Sequence, residues 1–305
     1  MIYFSIVIIA VVVLLIISFV VFFNMAFVRG KIDDYMQREH SDPKLRELQV
    51  PMRAGVQWYF KQNKEDVYIK SYDGLRLHAE LIRANEPTDK IVILFHGYRS
   101  MARNDFCCAM PYYNSLGMDV LLVDQRAHGL SEGKLITFGV KERYDACSWV
   151  EYVKSTYGES KKIFLSGMSM GASTVMMASN MVEGVSGIVA DCGFTSPKEI
   201  IQIVAQKRFK LPKWCVAPVG LLAKVFGGFD YSYSAKEALA SASAPVLFIH
   251  GLADDFVPYY MTDESYEACS SKKQKILVPE APHGYSFLFA PDKVKVALED
   301  FILKQ

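Results

Sequence analysis

Ile163-Phe-Leu-Ser-Gly-Met-Ser-Met-Gly-Ala172 is the stretch that decides how this chain reads. It is a short apolar strand that runs into Gly167-Met168-Ser169-Met170-Gly171 and then into a helix from Ala172 to Met181. A G-x-S-x-G segment between a strand and a helix is the pattern of a nucleophile elbow. The turn is so sharp that side chains two positions either side of the serine would collide. Gly167 and Gly171 remove those side chains, and Ala172 lets the helix stay close to the sheet. Ser169 is thereby lifted clear at the head of a helix, where backbone N–H groups favour a developing negative charge. An ordinary Gly/Ser turn competes for the five residues alone; the flanking strand and helix weigh against it.

Working outward, Asp66–Ser71 and Leu75–Ile82 alternate apolar and polar residues about Tyr72-Asp73-Gly74, which predicts an antiparallel hairpin with one exposed face. Ile91–Phe95, Asp119–Asp124, Val185–Asp191, Ala244–His250 and Lys275–Val278 are continuous apolar runs, as expected of parallel strands buried on both faces. A helix from about Lys141 to Tyr157 leads to the elbow strand, and another from Val294 to Leu303 closes the chain. Strands alternating with helices predict an α/β fold with a doubly wound, mostly parallel sheet. Between Cys192 and Ala238 the strands stop, while apolar residues such as Ile200, Phe209, Trp214, Leu221 and Phe226 continue. This predicts a small helical insertion, at about 193–238, lying as a lid over the carboxyl edge of the sheet, where ligands bind in such folds.

With 305 residues, 51% of them hydrophobic, the chain can bury one large α/β core and something small besides. A formal net charge of +1 and no basic block argue against a nucleic-acid partner. Six scattered cysteines (Cys107, Cys108, Cys147, Cys192, Cys215, Cys269) without C-x-x-C spacing suggest neither a disulfide framework nor zinc, and point to a reducing compartment. There is no P-loop or dinucleotide fingerprint, so no metal or organic cofactor is expected.

Ile2 to Phe23 carries no charge, and at about 1.5 Å per residue it can span a hydrocarbon core of about 30 Å. No Lys or Arg precedes it, and Asn24-Met25-Ala26-Phe27 is a poor cleavage site, so a retained single-pass anchor is favoured over a signal peptide. Arg29, Lys31, Arg38, Lys44 and Arg46 follow the span, with Asp33 and Asp34 interleaved, which places the remainder on the cytoplasmic side. The expected organisation is an anchor over 1–28, a juxtamembrane linker with some helix over 29–64, and the α/β domain over 65–305.

A nucleophilic serine needs a base, an orienting carboxylate and donors for the oxyanion. Two loops downstream offer candidates, each just past the carboxyl end of a parallel strand: Gly251-Leu-Ala-Asp254-Asp255-Phe256-Val-Pro258 and Pro279-Glu-Ala-Pro-His283-Gly-Tyr-Ser286. Asp254, Asp255 and the strand-end Asp191 all compete for the role of carboxylate.

Five motifs in order carry a family likeness: His96-Gly97, Asp124-x-Arg126-x-His128-Gly129-x-Ser131-x-Gly133, the elbow, His250-Gly251-x-x-Asp254-x-x-Val257-Pro258, and His283-Gly284-x-Ser286. Over roughly Glu65 to Leu303 the chain resembles the α/β-hydrolase superfamily, and within it the membrane-anchored bacterial hydrolases related to the dienelactone-hydrolase-like groups. The resemblance implies an α/β-hydrolase fold, Ser169 as nucleophile, Asp254 as acid and His283 as general base. It also implies an oxyanion hole made by the backbone N–H groups of Tyr98 and Met170. Gly97, Met168, Phe194, Trp214 and Phe256 are the expected substrate-facing residues. Asp124 and Arg126 are expected to pair and shape their loop, His96 and His128 to be structural, and His78 and His250 have no assigned role. The expected activity is hydrolysis of a small-molecule or lipid-like acyl ester. A prolyl-oligopeptidase-type peptidase, a protein S-acyl thioesterase and a non-catalytic membrane-tethered module are the alternatives.

Overall fold

The computed structural model describes residues 2–32 and 42–305, so Asp33, Asp34 and Arg38, which bear on the anchor's orientation, lie outside it. In chain order come α1 (Ile2–Phe27), α2 (Pro43–Lys61), β1 (Glu65–Lys70), β2 (Arg76–Ile82), β3 (Lys90–Phe95), the short α3 (Ala102–Asp105) and α4 (Ala109–Ser115), β4 (Asp119–Asp124) and α5 (Glu142–Tyr157). Then follow β5 (Lys162–Met168), α6 (Met170–Ala178), β6 (Val185–Asp191), α7 (Pro197–Phe209), a 3-10 turn at Lys213–Val216, and α8 (Ala217–Leu222) continuing into a π-turn at Ala223–Gly227. The chain ends with α9 (Ala235–Leu239), β7 (Val246–Gly251), α10 (Tyr260–Ala268), β8 (Lys273–Val278), α11 (Ser286–Phe289) and α12 (Pro291–Leu303).

The eight strands form one sheet in the order β1-β2-β4-β3-β5-β6-β7-β8. β2 runs antiparallel to both β1 and β4, and every later pairing is parallel. Parallel neighbours need helical crossovers, so helices cover both faces and the central strands are apolar on both sides. β3 shows the division. Ile91, Ile93 and Phe95 belong to the core with α5, α6 and the 193–238 insertion, whereas Val92 and Leu94 belong to the core with α4 and α12. These are the two faces of a pleated strand.

α1 is long and apolar enough to cross a membrane over Tyr3–Phe27. Its side chains are exposed along most of its length, but its last two turns enter the protein. Phe23 and Phe27 are buried, and Phe27 packs edge-on against Phe138 and beside Phe229. Burying a phenylalanine contributes roughly 1.5–3 kcal/mol, so this end of α1 is part of the core. The backbone then pairs with the loop before α5. Ile136 N–H donates to Phe27 O, Arg29 N–H donates to Lys134 O, and Val28 bridges Leu135. α2 packs on α3 and α4, tied to β2 by a 2.5 Å hydrogen bond from the Tyr59 hydroxyl to Glu80.

Candidate active site

The elbow forms as its glycines require. A Cβ on Gly171 would fall inside the carbonyl of Phe95, and one on Gly167 inside the carbonyl of Gly171, so neither position admits a side chain. Between them Ser169 sits at φ 54°, ψ −113°, a conformation costly to any residue with a Cβ. Its N–H donates to Asp191 O on β6, and Ser173 N–H donates to its carbonyl, which holds the turn open. Arg99, Cys192 and Glu280 also have positive φ, each just past the carboxyl end of a strand, so strained backbone gathers along one edge of the sheet.

Three loops meet at that edge. His283 Nε2 lies 2.9 Å from Ser169 Oγ, and His283 Nδ1 lies 2.6 Å from Asp254 Oδ2. With Nδ1 carrying the proton toward the carboxylate, Nε2 is free to accept from the serine hydroxyl. Asp254 is the carboxylate that meets the imidazole. Asp191 instead accepts from the Ser286 hydroxyl at 3.3 Å, and the backbone carbonyl of Asp255 accepts from Lys207.

Burial alone would raise Asp254. The hydrogen bonds from His250 and His283 outweigh it and hold the carboxyl well below the usual carboxylate range. Asp254 Oδ1 also accepts the N–H groups of Phe256 and Val257 at 2.9 and 2.8 Å. His250, which the sequence left without a role, positions this carboxylate. Its Nε2 contacts Asp254 Oδ2 at 3.1 Å and Val257 O at 2.9 Å, and its Nδ1 takes the Thr262 hydroxyl at 2.6 Å. The available signal was spacing, since His250 lies next to the end of β7, four residues before Asp254.

The loop after β3 passes directly over the elbow: a Cβ on Gly97 would be 3.5 Å from Ser169 Cβ. The residues around Tyr98 are pinned. Gly97 N–H donates to Asp105 at 2.5 Å, His96 Nδ1 to Gly97 O at 2.7 Å, and Arg99 N–H to His128 Nε2 at 3.0 Å. His96 and His128 thus hold backbone, as expected. Met170 is the first residue of α6, where N–H groups lack intrahelical acceptors. Asp124 and Arg126 do not pair with each other. Arg126 is buried in a two-pronged contact with Asp145 at 2.6 Å and reaches Asp73 at 3.0 Å, while Asp124 binds His78 at 2.8 Å. Asp145, projecting from α5, offers the guanidinium both carboxylate oxygens, whereas the Asp124 carboxylate is taken by His78 and the Leu130 N–H.

A cavity of about 650 Å³ opens at Ser169. Of the expected substrate-facing residues, Gly97, Met168 and Phe256 line it, and it extends along the α4 and α12 face between Phe106, Tyr113, Val189, Ile249 and Leu298. Phe194 and Trp214 do not line it. Phe194 is buried against Phe138, with its N–H and C=O both bonded to the Ser173 hydroxyl, and Trp214 is exposed on the outer surface. None of the lining residues comes from the insertion, whose inward residues Val216, Val219 and Ala223 are spent on the core containing the end of α1. One cavity wall was missed in the sequence: Gln49 and Met52 of α2.

Cys192, Asp254 and His283 are the one metal-ligand-type grouping among the described residues. Asp254 and both His283 nitrogens are already bonded within the protein, and burial pushes the Cys192 thiol up, away from the thiolate a metal needs.

The fold agrees with comparisons to known proteins. The model of a family described as serine aminopeptidase, S33, matches residues 86–230. The uncharacterized protein YqkD of Bacillus subtilis is 27% identical over 72% of this chain and 73% of its own length. A Saccharomyces cerevisiae protein described as an uncharacterized membrane protein, YNL320W, is 24% identical over 79% and 80%. Among solved structures, the Pyrococcus furiosus esterase Pf2001 superposes with a TM-score of 0.67 at 26% identity, covering 81% of this chain and 93% of that one. The chain belongs to the α/β-hydrolase superfamily. Within that class it is a hydrolase with esterases among its structural neighbours.

Proposed function

We propose that the chain is a membrane-anchored serine hydrolase that cleaves carboxylic acyl esters of lipid-like character through Ser169, His283 and Asp254. The observation that carries this is the continuous relay of 2.9 and 2.6 Å contacts from hydroxyl to imidazole to carboxylate, opening on an apolar cavity. In this mechanism Ser169 Oγ attacks the acyl carbonyl as its proton passes to His283 Nε2. Asp254 fixes the tautomer and stabilises the imidazolium. The N–H groups of Tyr98 and Met170 hold the oxyanion, each worth on the order of 3 kcal/mol of barrier. As the tetrahedral adduct collapses, His283 returns the proton to the departing alcohol. Water then attacks the acyl-enzyme by the same route, releasing the carboxylic acid and restoring Ser169.

An aminopeptidase is the second reading, favoured by the description of the matching family. It would need a carboxylate in the cavity for the substrate's ammonium. Both acids in the wall are engaged elsewhere: Asp105 accepts from Gly97 N–H and the Ser100 hydroxyl, and the buried Asp191 accepts from the Ser286 hydroxyl. The apolar wall favours an acyl chain instead. α1 is read as a single-pass anchor with the hydrolase domain on the cytoplasmic side, from Arg29, Lys31 and Arg46 beyond the span.

The test is fluorophosphonate labelling of the full-length chain in detergent, competed with acyl esters of rising chain length, acyl thioesters and aminoacyl amides. Ser169→Ala abolishes labelling and ester turnover; undiminished labelling of that variant overturns the nucleophile. Protection by aminoacyl amides alone transfers the assignment to the peptidase.

A further inference from the structure

The helical run from Lys213 to Gly227 is apolar on both sides. Val216, Val219 and Ala223 face inward and are buried, yet Trp214, Leu221, Val225 and Phe226 on the outward side are also apolar and are 64 to 75% exposed. A helix that is hydrophobic all round belongs in an apolar surrounding, and here the chain supplies one on a single side. Phe209 and Leu211, just before it, are exposed as well.

Its neighbour shows what lies on the other side. The exposed part of α1 runs from Tyr3 to Val21, roughly 28 Å at the helical rise, close to one hydrocarbon thickness. The next residue, Phe22, stacks edge-on with Phe209 at 6.3 Å, and α1 packs on α8. The insertion therefore stands at the level where α1 leaves the lipid. Arg208, Lys210, Lys213 and Lys224 are exposed among the apolar residues, and between Ile200 and Phe229 there is no Asp or Glu. A tryptophan and long basic side chains around an apolar face are the makeup of a surface that lies in an anionic membrane interface. A second copy of the chain is a poorer occupant, because a two-fold contact would set these cations against themselves.

We infer that the segment Phe209–Phe226 is a second membrane contact, lying in the headgroup region of an anionic leaflet beside the emerging end of α1. This rests on the reading of α1 as a span. It makes the protein held at two points, a span and an interfacial patch, so that the domain has a fixed attitude to the bilayer. The cations of the patch, Arg208, Lys210, Lys213 and Lys224, suit the negative surface of the cytoplasmic leaflet independently of Arg29 and Lys31.

The full-length chain, reconstituted into phosphatidylcholine/phosphatidylglycerol vesicles carrying a shallow doxyl-labelled lipid, tests this by tryptophan quenching. Trp149 is wholly buried and Trp58 lies on α2, so the quenched component assigned to Trp214 is the part lost in Trp214→Phe. The expected result is a quenched component that disappears in Trp214→Phe and shrinks in pure phosphatidylcholine or in the Lys213→Gln/Lys224→Gln variant. The exposed-surface variant Leu221→Asp/Phe226→Asp should lose turnover of a vesicle-embedded ester while keeping that of a water-soluble one. Quenching identical in wild type and Trp214→Phe overturns the inference, as does Trp214 shielded only in a chemically cross-linkable dimer. Alkaline carbonate extraction separates the two failures. A chain released by carbonate refutes the span, whereas a chain retained with Trp214 unquenched refutes the interfacial contact alone.

Discussion

The two faces of the sheet treat apolar surface in opposite ways. On the face covered by α2, α4 and α12, apolar residues wall a cavity of about 650 Å³ that opens at Ser169. On the face covered by α5, α6 and the insertion, no residue of the insertion lines that cavity, and the insertion's leftover apolar residues point outward beside the end of α1. On the proposed function, substrate would occupy one face and membrane attachment the other. Between them runs the loop after β3, which serves both: Gly97 lies against Ser169, while the Tyr98 hydroxyl donates to Ala26 O at 2.9 Å and the Arg99 guanidinium to Met25 O and Val28 O at 2.9 and 3.1 Å. Met25 and Ala26 are in the last turn of α1, where carbonyls lack intrahelical donors, and Val28 follows it. The loop that would bind an oxyanion therefore also caps α1.

The largest effect expected short of removing the nucleophile is at the relay. Asp254→Asn keeps the shape but presents the wrong donor to His283 Nδ1, and should lower kcat by about 10⁴-fold with the fold intact by circular dichroism. A modest loss would mean that Asp191 or water can replace it. Next comes the division of faces itself. Met52→Trp, which fills the cavity from α2, should reduce kcat/KM for an octanoyl ester roughly 10- to 100-fold relative to an acetyl ester. Trp214→Ala, on the opposite face, should leave that ratio unchanged for esters in solution. Equal losses from the two variants would break the comparison.

How much of this could be read beforehand follows from the range of the interactions. The elbow, the continuous apolar strands and the antiparallel hairpin are local patterns, and so Ser169, the strand-end positions of Asp254 and His283, and the α/β class were legible. The absence of strands between Cys192 and Ala238 was legible too, but not which way the insertion faces. A helix apolar on both sides carries no periodic signal for direction, and so Trp214 was expected at the cavity; Phe194, in the loop after β6, is turned away by its bonds to the Ser173 hydroxyl, a contact across the fold. The α2 wall was hidden for a different reason. Gln49 and Met52 reach the site only through packing on α3 and α4, which sequence spacing does not encode. Arg126 likewise bonds across the fold to Asp145, not to the acid two residues away.

A smaller effect should come from the loop between the faces. Arg99→Ala removes a charged donor from two carbonyls of α1, contacts of a kind worth about 1.5–3 kcal/mol when buried and less at this half-exposed site. The expected outcome is a lowered Tm in detergent together with a kcat reduced about tenfold at unchanged KM, because the loop carrying the Tyr98 N–H loses one of its supports. A Tm loss with kcat untouched would separate anchor from oxyanion loop, and the two faces would then be independent.

The smallest effect is a pH dependence at His128, on the same loop. Burial pushes this imidazole down to about 3, and the neighbouring His96 ring adds to the shift. Its bonds give the same answer: Nδ1 donates to Arg126 O at 2.9 Å and Nε2 accepts from Arg99 N–H at 3.0 Å, a pattern only the neutral ring can satisfy. Because the folded value lies below the ordinary 6.5, the unfolded chain binds the proton first. The contribution of His128 to stability is therefore complete above pH 6.5 and is lost progressively as pH falls from there toward 3. His128→Gln keeps one donor and one acceptor but cannot titrate. Its Tm should start lower at pH 7.5 and fall by a few degrees less than the wild type's on going to pH 5. Parallel falls in the two proteins would mean that the acid limb belongs to carboxylates elsewhere, and that the support of Arg99 by His128 is indifferent to charge.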